Sequence, residues 1–317
     1  LSVRLLVGAA AALLLAGCAS LLTPPQTAAL LAAPPADLPP RVEREAVPFF
    51  AQTRDHCGPA ALATALADVG LAADPERLGD AIFLPARGGT LQLEMISGAR
   101  RHGAVATRLP ADLEALLREV AAGNAVIVLQ NLGLDFAPRW HYAVVVGYDL
   151  ATRELILRSG TTQRESLPLR TFEYTWARGG RWAIAALPPD RLPATATEAA
   201  AQEAAVGFER AAPPPRAALA YRTMLARWPG NLLAGIGLGN TLNAAGDAAG
   251  ARAAFADVAE RHDSAVAWIN LARLRMAAGD RDGARTAAGR AVRRAEAAEP
   301  AWRDAARATQ AAAADGR

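Results

Sequence analysis

Residues 52–62 read QTRDHCGPAAL. A lone cysteine, Cys57, stands between a histidine and a Gly-Pro pair, just before an alanine-rich run. Pro59 to Val69 reads as a helix closed by Gly70, because proline suits a first turn whose N–H groups have no intrahelical acceptor. Cys57 therefore falls at or just before a helix start. There the macrodipole and the free N–H groups favour an anion and depress a thiol pKa. A cysteine so placed is buried filler, half of a disulfide, a metal ligand or a nucleophile. The rest of the chain separates these.

The 317 residues contain only one other cysteine, Cys18, and four dispersed histidines, at no recognised zinc spacing. No metal or cofactor is expected. Residues 1–20 read LSVRLLVGAAAALLLAGCAS: a positive start at Arg4, an apolar stretch, then small residues. That is the pattern of a secretory signal, too short for a stable span. Leu15-Ala16-Gly17-Cys18 resembles the bacterial lipoprotein lipobox, whose cysteine is lipidated and becomes the new N-terminus. A plain signal cut near Ala19 would lose Cys18 instead. Either way Cys57 is left as the sole thiol of an exported protein, where a free thiol is a liability unless buried or used. Ala19 after the lipidation site implies, by the sorting pattern of such lipoproteins, an outer-membrane anchor facing the periplasm. The expected organisation is a signal peptide over 1–18, a Pro-rich linker over 19–44 with Pro-Pro at 24–25, 34–35 and 39–40, a first domain over 45–190 and a helical domain over 191–317.

A thiolate nucleophile needs a proton-transfer partner. His56 is adjacent to Cys57 and reads as a loop residue. His102 ends a helix, and His262 lies in the helical half. His141 opens HYAVVVGYD, an apolar β-branched run with the pattern of a buried strand. An imidazole at the mouth of such a strand is held either for structure or for proton transfer.

Gln52, Cys57-Gly58-Pro59 five residues on, and a distant His141-Tyr142 opening a hydrophobic strand resemble the papain-like cysteine peptidases of the double-glycine-leader, bacteriocin-processing type. The stand-alone lipoprotein branch, with tetratricopeptide (TPR) repeats after the peptidase domain, is the most similar. The resemblance covers roughly residues 45–190. It implies Cys57 as nucleophile, His141 as general base and acid, and Gln52 lining the oxyanion hole. A carboxamide N–H and a backbone N–H at a helix start suit that last task.

One feature departs from the family, which carries an aspartate that orients the histidine. Asp149 lies eight residues beyond His141, roughly 26 Å along an extended strand at about 3.3 Å per residue. It belongs instead to a hairpin turn over 149–153, whose return strand, Glu154 to Arg158, brings Ser159-Gly160 back beside His141. The third member is then Ser159 through its hydroxyl, or a carbonyl or another nearby side chain. Asn131 and Asp135, in the loop before His141, are weaker candidates.

Helices are expected from Pro75, over 90–102 and over 110–122. Strands are expected near Val105 and over 125–130, 141–148, 154–158 and 182–187. Helices first and an antiparallel sheet second make a papain-like α+β domain with its site between the halves. Beyond Pro193, LLAGIGLGNTLNAAGDAAGARAAF from Leu232 and SAVAWINLARLRMAAGDRDGARTAA from Ser264 share AAGD followed by GAR. Gly246 and Gly279, like Leu238 and Leu271, are 33 residues apart, close to the TPR period. Such an array binds peptide segments or proteins and does no chemistry itself. A net charge of +3 spread over scattered arginines leaves no nucleic-acid footprint. The expected function is peptide-bond hydrolysis through a Cys57 thioester, with the repeats recruiting protein. The alternatives are an inactive peptidase-like adaptor or an acyltransferase using the same thiolate.

Overall fold

Two strands set the architecture. β3 (Val126–Asn131) is buried at all six positions, and β4 (Trp140–Asp149) is buried from Tyr142 to Tyr148. Strands apolar on both faces need a covering layer on each. In the computed structural model, which describes residues 23–52 and 56–315, helices supply both. The expected signal segment, with Cys18, lies outside the described residues.

The sheet is antiparallel, in the order β2 (Val105–Arg108), β7 (Ala183–Leu187), β3, β4, β5 (Glu154–Ser159), β6 (Thr162–Pro168). A short β1 (Arg41–Glu43) pairs with β4 at Gly147 to Asp149, beyond the Val145 at which the pairing with β3 ends. Gly147 is required there: a Cβ would sit 2.6 Å from the Val42 carbonyl oxygen. Period-two alternation sends Ile127, Leu129, Val144 and Ile184 to one face, against α2 (Cys57–Asp68), α3 (Pro75–Ile82) and α4 (Gln92–Arg101). Val126, Val128 and Val145 face the other layer, formed by α1 (Pro25–Ala32), α5 (Leu113–Ala121) and α6 (Leu169–Arg178).

The domain is thus α+β with an antiparallel sheet, and its helices lie on both sides of that sheet rather than in one half. Neither β6 nor α6 was expected from the sequence. The stretch LRTFEYTWAR is rich in aromatic and β-branched residues, which favour strand. Leu169, Phe172 and Trp176 nevertheless recur at helical spacing and are fully buried.

The linker expected over 19–44 is corrected from Pro25 onward. Pro24-Pro25 starts α1, since proline at the first helical position is preorganised for the turn. The carboxylate of Glu173, buried completely, accepts from the Gln26 and Thr27 N–H groups at 3.0 and 2.6 Å. The Gln26 side chain donates to the Ala111 carbonyl and accepts from Leu113 N–H. Leu30 and Leu38 are buried in the same core as α5 and α6.

The chain divides into two compact units. One runs to Pro188 and takes in Pro193–Ala200; the other comprises Pro189–Leu192 and the chain from Ala201. The boundary expected at 190 is thus blurred: buried Glu119 holds Ala194 and Thr195 by their N–H groups at 3.1 and 2.5 Å, keeping that stretch with the first unit.

The second unit is built of helices: the greater part of α7 (Glu198–Glu209), then α8 (Pro214–Arg227), α9 (Leu232–Ala244), α10 (Ala248–His262), α11 (Ala265–Ala277), α12 (Arg281–Ala297) and α13 (Arg303–Asp315). α9 and α11 begin 33 residues apart, at Leu232 and Ala265, and so do α10 and α12, at Ala248 and Arg281. The repeated AAGD is a turn: Gly246 and Gly279 take φ +83° and +77°, and Asp247 and Asp280 then cap the next helix.

Candidate active site

α2 is buried almost all round, from Gly58 to Leu66. It starts at Cys57, two residues before Pro59, with His56 as its N-cap. Pro59 occupies the third position of the first turn, where a missing N–H costs no helical bond. Gly58 allows close approach of the chain just before α4: a Cβ there would lie 2.8 Å from Thr90 Cβ. Cys57 is a half-buried thiol, in no disulfide among the described residues, at the positive end of a buried helix.

Cys57 and Gln52 line one narrow crevice, together with Phe50, Tyr142, Arg158, Ser159 and Gly160. Its free volume is about 10 Å³, of the order of one water molecule. Cys57 and Tyr142 also line a larger cleft of about 540 Å³ with Gly89, Leu91, Trp140 and Gly180, a size that holds a small ligand or short peptide segment. A further open cleft shares Phe50, Gln52 and Ala60 with the crevice. The crevice therefore adjoins two open spaces. Trp140 is 57% exposed beside His141.

His141 stands at the second position of β4, half-buried. Its Nε2 lies 2.9 Å from Ser159 Oγ, the last residue of β5. With Nε2 engaged, Nδ1 is the nitrogen left for proton transfer, and in that tautomer Nε2–H donates to Ser159 Oγ. Burial holds the imidazole below its ordinary value, opposed by the nearby Glu165 carboxylate and aided by the Arg139 guanidinium. A neutral ring is thus favoured. Burial also raises the Tyr142 phenol, helped by the Cys57 and Glu94 charges, so Tyr142 remains protonated.

Gln52 reaches the crevice from a segment tied to the sheet, its N–H donating to the Gly160 carbonyl at 3.1 Å. The structure so brings Cys57, Gln52 and Ser159 to one crevice and joins His141 to it through Ser159. Asp149 is elsewhere: its carboxylate accepts from Ala151 and Thr152 N–H and shapes the β4–β5 turn. Asn131 is committed to the β3–β4 loop, its Oδ1 accepting from Gly133 and Arg139 N–H. Asp135 is exposed. His56 stacks on Phe83 at 4.8 Å, and His102 closes α4 with Nδ1 2.9 Å from the Gly98 carbonyl. Arg158, buried in the crevice wall, was not singled out from the sequence. An arginine in a strand ending in Arg-Ser-Gly carries no signal of burial. Among the described residues no group of three or more His, Cys, Asp or Glu side chains is placed to hold a metal ion.

A family model described as Peptidase_C39 like family matches residues 44–184, the stretch that contains Gln52, Cys57, His141 and Ser159. The match supports a domain of the cysteine-peptidase type there. No curated protein matches the chain. Among solved structures, a C39-like peptidase from Bacillus anthracis is 19% identical, with a TM-score of 0.39 over 46% of this chain and 97% of that one.

Proposed function

We propose that the first unit is a cysteine peptidase that cleaves peptide bonds through a Cys57 thioester. The observation that carries this reading is the convergence on one crevice: a thiol at a buried helix start, Gln52 in the same lining, and a serine that holds His141. A substrate chain would run from one open cleft to the other across Cys57. His141 Nδ1 takes the thiol proton, and the thiolate attacks the carbonyl carbon. The oxyanion is met by the Gln52 carboxamide and a backbone N–H at the start of α2. The protonated imidazole then gives its proton to the leaving amine, and water releases the acyl group.

Ser159 takes the place of the orienting acid. A hydroxyl fixes the ring but supplies no charge to stabilise imidazolium, so the ion pair with the thiolate rests more heavily on the helix dipole. This neutral partner favours a second reading, an adaptor that binds peptides in the clefts without turnover. Transfer of the acyl group to an amine rather than to water would pass through the same thioester. We further propose that Cys18 is lipidated, that the protein faces the periplasm, and that the helical unit is a TPR-like array that recruits a protein partner. The 33-residue recurrence of helix starts supports the last of these.

The test is the pH dependence of Cys57 alkylation in the full chain carrying Cys18→Ser, with His141→Ala beside it. A thiolate population well below pH ~8.5 that is lost with His141 supports the peptidase. An ordinary thiol indifferent to His141 would sink it and favour the adaptor. Product analysis with a peptide library separates hydrolysis from transfer.

A further inference from the structure

Arg158 is 5% exposed, yet no carboxylate among the described residues accepts a hydrogen bond from it. Buried arginines are ordinarily paired with an acid. Here the guanidinium bonds to backbone carbonyls. Nε donates to Val47 O at 3.2 Å, Nη1 to Gln163 O at 2.7 Å, and Nη2 to Glu45 O at 3.0 Å with Arg44 O at 3.5 Å. The acceptors come from two stretches distant in sequence, the approach to Gln52 and the strand β6. Gln163 sits where the β5–β6 ladder slips: Leu157 pairs with Glu165, but Ser159 pairs with Thr162. Register slips of this kind re-aim side chains near active sites.

The neighbouring residues complete the pattern. Ser159 Oγ holds His141 Nε2, and the Gly160 carbonyl holds the Gln52 N–H. The approach to Gln52 is therefore fastened to one hairpin twice, by Arg158 at residues 44–47 and by Gly160 at Gln52. The same hairpin carries the group that orients the histidine.

We infer that Arg158 is a positioning residue of the site: its guanidinium fork ties the segment bearing Gln52 to the hairpin that holds His141, setting both against Cys57. This rests on the peptidase reading. Only a guanidinium suits the task, since its planar fork presents five donors in fixed directions, whereas a lysine ammonium is a single point. Glu43, Glu45 and Arg164 are the charged groups that act on Arg158, and Glu43 is itself held by Arg164 and Arg41.

The experiment uses the full chain with Cys18→Ser, so that Cys57 is the sole thiol. Alkylation of Cys57 by iodoacetamide is followed from pH 4 to 10 in this parent, in His141→Ala, and in Arg158→Lys and Arg158→Met. Glu173→Gln, which loosens α1 on the opposite face of the sheet, is the stability control. With Arg158 as a fork, both Arg158 variants fold, lose about tenfold or more in rate near pH 6, and move toward the His141→Ala profile; ångström-scale misplacement has that size of effect. Glu173→Gln lowers the melting temperature and leaves the profile in place. Full retention of the parent profile in Arg158→Lys would mean charge rather than fork geometry, and would overturn the inference. So would parent-like profiles in both variants, a Glu173→Gln profile displaced as far as theirs, or failure of both Arg158 variants to fold, which would make Arg158 merely structural. A parent profile that ignores His141→Ala would instead remove the peptidase reading itself.

Discussion

Ser159 Oγ lies 2.9 Å from His141 Nε2, at the point where the return strand of a hairpin ends. The ring's partner there is a neutral hydroxyl. Its bond directs the ring but adds no electrostatic support to imidazolium.

Removing that hydroxyl tests orientation alone. Ser159→Ala deletes one hydrogen bond, worth about 1 kcal/mol. Cys57 alkylation near neutral pH, and any peptide turnover, are expected to fall about five- to tenfold, with little change in melting temperature. Ser159→Asp restores a carboxylate beside the ring and is expected to raise the imidazole pKa. An unchanged Ser159→Ala rate would show that the bond does not position His141.

The acid limb of reactivity follows from the imidazole. Burial holds His141 below 6.5, so the neutral ring, the base of the proposed mechanism, persists to lower pH than an exposed histidine allows. Arg139→Gln removes a cation that depresses it and should move the limb up; Glu165→Gln removes an anion that raises it and should move the limb down. Stability has a matching sign. The unfolded chain binds the proton more readily, so this contribution is present above about pH 6.5 and is lost as pH falls through the lower folded value. Alkylation rates and thermal melts from pH 4 to 8 read both effects. A limb that moves down in Arg139→Gln or up in Glu165→Gln would contradict the assignment.

A buried carboxylate is one anchor of α1. Glu173→Ala leaves the Gln26 and Thr27 N–H groups without their acceptor, at a cost of about 2–3 kcal/mol. Limited proteolysis should then open the chain near residues 33–40, while the parent resists. Equal resistance would mean that the Gln26 side chain and Leu30 packing are enough to hold α1.

In the helical unit, two of the α9 glycines abut aromatic rings, with no room for a Cβ. A Cβ at Gly237 would lie 2.4 Å from the Tyr221 ring, and one at Gly239 would lie 2.6 Å from the Phe255 ring. Either alanine variant should cost about 1–3 kcal/mol by overpacking. Gly289→Ala in α12 meets only the end of the flexible Arg293 side chain, at 3.5 Å, and should gain up to about 1 kcal/mol. Calorimetric melts of the three decide it; a tolerated Gly239→Ala would mean that Phe255 can move aside.

Local chemistry in the sequence was enough to mark several elements. The helix behind Cys57 is legible because Gly-Pro and an alanine run act on the backbone within one turn. The β4–β5 hairpin is legible because its length fixes where the return strand ends, which is how Ser159 could be set beside His141. The 33-residue repeat is legible because Gly246 and Gly279 perform the same left-handed turn. Tertiary contacts decided the rest. Pro24-Pro25 opens a docked helix and not a spacer because Glu173, nearly 150 residues away, meets its N–H groups. LRTFEYTWAR is a helix because the far face of the sheet buries Leu169, Phe172 and Trp176 together. Arg158 reads as a strand residue in sequence; its burial among carbonyls exists only once β6 and the approach to Gln52 close around it. Propensity acts over a turn or a strand, whereas a buried polar group is satisfied by partners that the chain brings together only on folding.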